Sequence, residues 1–266
     1  MRQSIIRDLG ILIGIFGLVW LVSSVLNFFP EDPVLLSVDA EQKIGETYLD
    51  LVLLNPIFKE FEDDRIDSAV KVIGERLEQG LETSKYNYNF VVFRNDMINA
   101  FTIPGGNILI STGLIGFCAS PEELASVIAH EMGHVEERHV VSRLIKELGI
   151  DIITSGDTYV LGEVTSILTS TGFDRKQEEE ADLFACKLLE QSNIEPRTLA
   201  TFFRRLDKEI DNDLLKQFEI VSTHPNFNSR IREALSYDIS ADFEEIPFDL
   251  EWEVIRSDIL PETNED

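Results

Sequence analysis

The chain is short of several residue types, and each shortage narrows what it can do. Only two cysteines, Cys118 and Cys186, occur in 266 residues. Neither has a partner at metal-ligand spacing, which excludes both a disulfide scaffold and a cysteine-built metal cage. A single bridge or two buried thiols both fit two cysteines on two predicted elements. Basic residues are few: 23 Lys and Arg against 49 Asp and Glu give a formal net charge of −26. Such a field repels polyanions and sets nucleic-acid binding aside. Histidine is rarer still, at His130, His134, His139 and His224 only. No repeat or low-complexity tract appears, and 266 residues suffice for one sizeable domain with a real core.

One long apolar run stands out against this acidic background. Residues 9–29 are almost unbroken in apolar character and long enough to cross a bilayer. Arg2 and Arg7 precede the run, and Glu31 and Asp32 follow it. The positive-inside bias then places the N-terminus in the cytoplasm and the bulk of the chain on the exported side. A cleaved leader is the alternative, with Val22 and Ser24 as a weak cleavage site, although the run exceeds a usual leader's apolar core. An uncleaved single-pass anchor is the expectation.

Histidine clusters in one stretch, 120–145. Ser120-Pro121-Glu122-Glu123 has the order of a helix start: capping serine, proline in the first turn, and a glutamate at the capping-box position. Leu124, Val127, Ile128 and Val135 recur at helical spacing, so a single helix from Ser120 to Ile145 is predicted. His130 and His134 then lie within roughly 40° of each other on one face. Glu131 is close enough to reach a water between them. This is the H-E-x-x-H pattern of zinc peptidases. His139 falls about 180° from His130 on the same helix, which predicts a solvent-facing side chain. Val140 and Glu137 stand where a longer zinc motif needs histidine and glycine, so a third ligand has to come from elsewhere.

Around that helix, residues 38–54 and the stretch through Ile66, Ile73 and Leu77 to Gly80 read as amphipathic helices. Residues 88–94 read as a strand, and 99–103 and 107–111 as a hairpin or two sequential strands about Pro104-Gly105-Gly106. The two glycines suit either an ordinary tight turn or the close approach of a substrate backbone adding to a strand edge. Residues 149–172 are glycine-dotted and apolar, which fits a core helix or a cover over a cleft. The run from Asp174 to Asp182 is charged; on a helix Glu178 and Asp182 share a face and Glu180 points away. That run is either a solvated face or a metal ligand with a partner for a ligating imidazole. Helices follow at 196–210 and 226–237, with His224 between them. The acidic segment 238–266 keeps enough apolar residues to pack as a strand or short helix, or forms a solvated surface.

The motifs in order are Asn99-Ala100-Phe101 with Pro104-Gly105-Gly106, His130-Glu131-Met132-Gly133-His134, Arg175 to Asp182, and Thr223-His224-Pro225 with Arg230. Together they resemble the gluzincin zinc endopeptidases of the HtpX, OMA, BepA and CAAX prenyl endopeptidase type, over residues 38–235. The resemblance implies an α+β, mainly α, zincin-like domain with a small sheet beside the H-E-x-x-H helix, after one transmembrane helix. It implies one zinc ion held by His130, His134 and Glu178, with Asp182 supporting a ligand and Glu131 as general base. It also implies that the strand with Asn99, Gly105 and Gly106 lines the substrate cleft. His224 and Arg230 match positions over the metal, as oxyanion donors or, for His224, as a fourth ligand. Asp174 departs from the serine common before the arginine. The single apolar span favours the OMA and BepA branches, and hence an anchored, exported peptidase acting on polypeptides. The expected division is an anchor at 1–30, a peptidase domain at 31–237 and an acidic segment at 238–266. The non-enzymatic alternative is a tethered chaperone or assembly factor with a latent site.

Overall fold

The computed structural model describes residues 36–149, 153, 163–164, 166–167, 172–210, 220, 224 and 227–259, all within the compact unit Leu36–Asp266. The apolar run 9–29 and most of 149–172 fall outside them. Among the described residues no helix is long and apolar enough to cross a membrane.

Chain order begins with α1 (Val38–Leu53), whose first turn is capped by Ser37, and α2 (Asp64–Gly80), capped by Asp63. Ile66, Ala69, Val70, Ile73 and Leu77 form the buried stripe of α2, the face the periodicity predicts. Three strands follow: β1 (Asn89–Phe93), β2 (Ala100–Ile103) and β3 (Asn107–Ser111). They order β1-β3-β2, with β1 parallel and β2 antiparallel to the central β3. The sheet separates two hydrophobic clusters, and its residues alternate between them. Val92, Ala100, Ile108 and Ile110 join the larger cluster, while Val91, Phe93, Phe101, Ile103 and Leu109 join the smaller. Period-two side-chain direction puts apolar residues on both faces, which is why the strands read as near-continuous hydrophobic runs.

The turn between β2 and β3 gives its glycines a structural use within the fold. Gly105 and Gly106 have φ of 83° and 87°, in the left-handed region that favours glycine. A Cβ at Gly105 would lie 2.8 Å from Gln42 Cα, and one at Gly106 would lie 3.0 Å from the Asn87 carbonyl oxygen. The close approach is made by the protein's own backbone, from α1 and residues 86–87, and both glycines are buried. Asn99 is buried as well, its backbone paired with Ser111.

The helices α3 (Thr112–Phe117) and α4 (Pro121–Glu136) come next. The single helix expected over 120–145 is broken: Arg138 adopts φ 57°, and α5 (His139–Leu148) sets off afresh. Arg138 is held there by long-range contacts, donating to the buried Glu41 carboxylate through Nε and Nη2 at 3.0 and 2.8 Å and to the Leu36 carbonyl at 2.7 Å. Then come α6 (Arg175–Gln191), α7 (Thr198–Ile210), α8 (Phe227–Leu235) and α9 (Trp252–Ile259). A capping box of Asp174 and Gln177 starts α6, so the aspartate that departs from the relatives' serine has a local use.

The acidic C-terminal segment packs on the core. Trp252 and Ile255 are buried in the larger cluster, and Trp252 Nε1 donates to the Cys118 carbonyl at 2.9 Å. Arg76 pins the stretch before α9, donating to the carbonyls of Ser192, Asn193 and Ile246 and lying over the Phe248 ring. Both cysteines are free and buried, so there is no bridge. Burial pushes the Cys186 thiol up to about 12 and Cys118 upward as well.

Candidate metal centre

Two helices build the site by crossing closely. Gly133 of α4 faces Ala181 of α6: a Cβ on the glycine would stand 3.0 Å from Ala181 Cα and O. Contact this close brings the H-E-x-x-H face of α4 against the Glu178–Asp182 face of α6. His130, His134, Glu178 and His224 are all buried, and one ligand atom from each lies within 4.8 Å of the others.

The spacings within that group are those of ligands around a small cation. His130 Nε2 is 3.1 Å from His134 Nε2 and 3.2 Å from His224 Nδ1. Glu178 Oε1 is 2.9 Å from His224 Nδ1 and 3.6 Å from His134 Nε2. A tetrahedron with bonds of about 2.05 Å has edges of roughly 3.3 Å, so the four atoms fit zinc coordination. The proton inventory agrees. His130 Nδ1 faces the Asp182 carboxylate at 2.9 Å, and a carboxylate only accepts, so the proton sits on Nδ1 and Nε2 presents a bare lone pair.

The supporting charges are equally buried. Arg230 donates from Nε and Nη2 to both Asp182 oxygens at 2.7 Å, and its Nη1 lies 2.6 Å from Glu178 Oε2. Burial opposes ionisation of the Asp182 and Glu178 carboxyls, but the Arg230 guanidinium beside both, with His224 beside Glu178, holds them below the usual carboxylate range. Arg230 thus braces the Glu178 and Asp182 carboxylates, and its Nη1 and Nη2 also reach the His224 carbonyl at 3.4 Å and the His130 ring nitrogens at 3.3 Å.

Glu131 is buried beside the group and asymmetric. Oε2 accepts from the Thr102 hydroxyl of β2 at 2.7 Å. Oε1 has no hydrogen-bond partner among the described residues and lies 3.5 Å from His224 Nε2. Residue reading missed Thr102; a lone hydroxyl in the apolar strand Ala100–Ile103 is the available signal.

His139 also departs from expectation. It is buried, with Nδ1 2.9 Å from His134 Nδ1 and Nε2 3.3 Å from Glu180 Oε2. The break at Arg138 swings it back behind the metal group, and Glu180, expected to point away, meets it there. Phe173 stacks on His134 with centroids 3.8 Å apart and 17° between planes, and Arg143 lies over its ring.

The model of peptidase family M48 matches residues 64–238, which include every residue of this site. The chain belongs to peptidase family M48. The family is one of zinc metalloproteases, so zinc is the metal its membership implies for a site placed as these four buried side chains are. Among M48 relatives, the beta-barrel assembly-enhancing protease of Yersinia pestis is 26% identical over 219 residues, covering 75% of this chain and 44% of the relative. The mitochondrial metalloendopeptidase OMA1 of Arabidopsis thaliana is 32% identical over 149 residues, 54% of this chain and 30% of the relative. The metalloprotease LoiP of Escherichia coli (strain K12) is 32% identical over 164 residues, 56% of this chain and 64% of the relative. This chain therefore spans less than half the length of the assembly-enhancing protease it matches.

Proposed function

We propose that this M48 member is a zinc-dependent endopeptidase that cuts polypeptides, with His130, His134 and Glu178 as protein ligands. The observation that carries the reading is the convergence of two imidazoles and a carboxylate from separate helices, with the half-free carboxylate of Glu131 beside them. Zinc bound there supplies a Lewis acid that acidifies water and polarises a peptide carbonyl. Glu131 Oε1 takes the water's proton and returns it to the departing amine, while the Thr102 hydroxyl keeps Oε2 in place. Asp182 holds the proton on His130 Nδ1, so that Nε2 faces the metal.

Sequence alone supports the finer parts: an anchor at 1–30, the peptidase domain at 31–237 on the exported side of a bacterial inner membrane, and the acidic segment 238–266. Release into the periplasm is the alternative for a cleaved leader. Misfolded or envelope proteins are the substrate class suggested by relatives named for β-barrel assembly.

One observation favours a second reading. His224 Nδ1 stands within the ligand group, so four protein atoms are placed to close the coordination shell. A site closed in this way is latent, and a zinc-holding assembly factor would keep it so. The full-length protein in detergent separates these readings when zinc content and casein digestion are measured with and without chelator. The Glu131→Gln variant keeps its zinc and loses at least about a hundredfold in cleavage; undiminished cutting removes Glu131 from the reaction. His224→Ala raises cleavage if the imidazole closes the shell, and lowers it about 10²–10³-fold if it is an oxyanion donor.

A further inference from the structure

We propose that His139 and Glu180 fix the tautomer of His134, and so set how tightly the metal is held. The inference rests on the zinc-ligand reading above and adds two positioning residues to it.

For His134 to offer Nε2 to a metal, its proton has to sit on Nδ1. That atom faces His139 Nδ1 at 2.9 Å, and a contact between two ring nitrogens carries a single proton whose owner it leaves undecided. Glu180 decides it. Its Oε2 lies 3.3 Å from His139 Nε2 and can only accept, so His139 carries its proton on Nε2 and presents a bare Nδ1. His134 then donates from Nδ1, and its Nε2 is left unprotonated, 3.1 Å from His130 Nε2. The reverse arrangement has His139 donating from Nδ1 and drives the proton of His134 onto Nε2, into the ligand group, where it blocks coordination. His130 is served directly by Asp182 at 2.9 Å, whereas His134 reaches its carboxylate through an intervening imidazole. One helix, α6, thus supplies Glu178 to the ligand group, Asp182 to His130 and Glu180 to the His139 relay.

Local backbone geometry is shaped to place this relay. A helix running on through residue 139 would carry His139 to the face opposite His130. The left-handed Arg138, gripped by Glu41, turns the chain so that His139 is buried against His134. Phe173, stacked flat on the His134 ring, restrains its plane, and the in-plane hydrogen bond is left to choose the tautomer.

The test is zinc affinity of the full-length protein, measured by competition with a chromophoric chelator, with the melting temperature of the zinc-free form followed in parallel. His139→Ala lowers the affinity about 10–100-fold, the usual effect of removing a group that orients a metal-bound histidine. His139→Gln, whose amide oxygen accepts from His134 Nδ1, recovers most of that loss. Glu180→Leu, at a half-exposed position outside the core, weakens binding in the same direction and keeps the test open if His139→Ala does not fold. Unchanged affinity in both His139→Ala and Glu180→Leu overturns the inference. So does a His139→Gln variant as weak as His139→Ala at an unchanged melting temperature. The underlying reading is checked separately: wild type holds zinc and His134→Ala loses it. If wild type holds none, both fall; if those controls behave and the relay variants match wild type, only the relay falls.

Discussion

At the scale of single residues, the two oxygens of Glu131 have different surroundings, and Thr102 makes the difference. A hydroxyl donating to a buried carboxylate at 2.7 Å is a charge-assisted hydrogen bond, of a kind contributing about 1.5–3 kcal/mol. Thr102→Val keeps the shape and removes the donor, so Glu131 is freer to turn away from the water whose proton it is proposed to take. The expected result is a kcat lower by about 10–100-fold with KM and zinc content unchanged, and recovery in Thr102→Ser. Equal turnover by Thr102→Val and wild type on casein would show the hydroxyl to be incidental. His130, Glu131 and His134 are legible in the sequence because their relation is local, four residues along one helix. Glu178 in isolation is one carboxylate among many in a charge run, and only the match of several motifs to relatives singles it out. Thr102 shows in the sequence only as a lone hydroxyl in an apolar strand, its partner Glu131 lying 29 residues on, and His139 is hidden by the break at Arg138 that turns it onto His134 and toward Glu180, 41 residues away.

At the scale of elements, the site depends on how nearly α4 and α6 touch. Gly133 meets the backbone of Ala181, and backbone has no rotamer with which to yield. Gly133→Ala therefore forces the helices apart, at a cost of about 1–3 kcal/mol for an overpacked contact. The separation also draws Glu178 away from the two imidazoles. A lower melting temperature together with weaker zinc binding is expected from thermal denaturation and chelator competition. A variant that melts and binds as wild type does would mean the crossing has slack. Helix positions follow closely from apolar periodicity, as in α1, α2, α7 and α8. The break at Arg138 does not, because Val140, Val141 and Leu144 continue an apolar pattern and arginine is no usual left-handed residue. What holds the turn is Glu41, 97 residues away.

At the scale of the whole molecule, a chain of net charge −26 keeps buried carboxylates ionised at its centre by burying a guanidinium with them. Arg230 depresses the Asp182 carboxyl below its ordinary value despite burial. The linkage sign follows: a carboxyl depressed in the folded state stabilises above its unfolded value of about 3.9, and that stability is lost as pH falls from there through the folded value. Urea unfolding of the zinc-free protein between pH 7 and pH 3 is expected to show a midpoint falling below about pH 4. Asp182→Asn should be less stable at neutral pH and show a shallower acid dependence, since Arg230 stays buried with one partner fewer. A wild-type midpoint indifferent to acid would contradict the assignment. The C-terminal segment belongs to this scale too: its acidic composition suggests solvent, but Trp252 and Ile255 close the larger cluster, with Arg76 holding the approach.

By itself the sequence determined α1, α2, α7, α8 and the start of α4, the three short strands, and the placing of His130, Glu131 and His134 together on one helix. All of these are written in spacings of a few residues, where periodicity and side-chain chemistry act directly. Only the tertiary structure decided that Gly105 and Gly106 are occupied by the protein's own backbone, that Arg230 braces carboxylates, and that His139 stands behind His134. Each of those depends on which distant segment fills the space beside a residue, and that is set by packing across the fold.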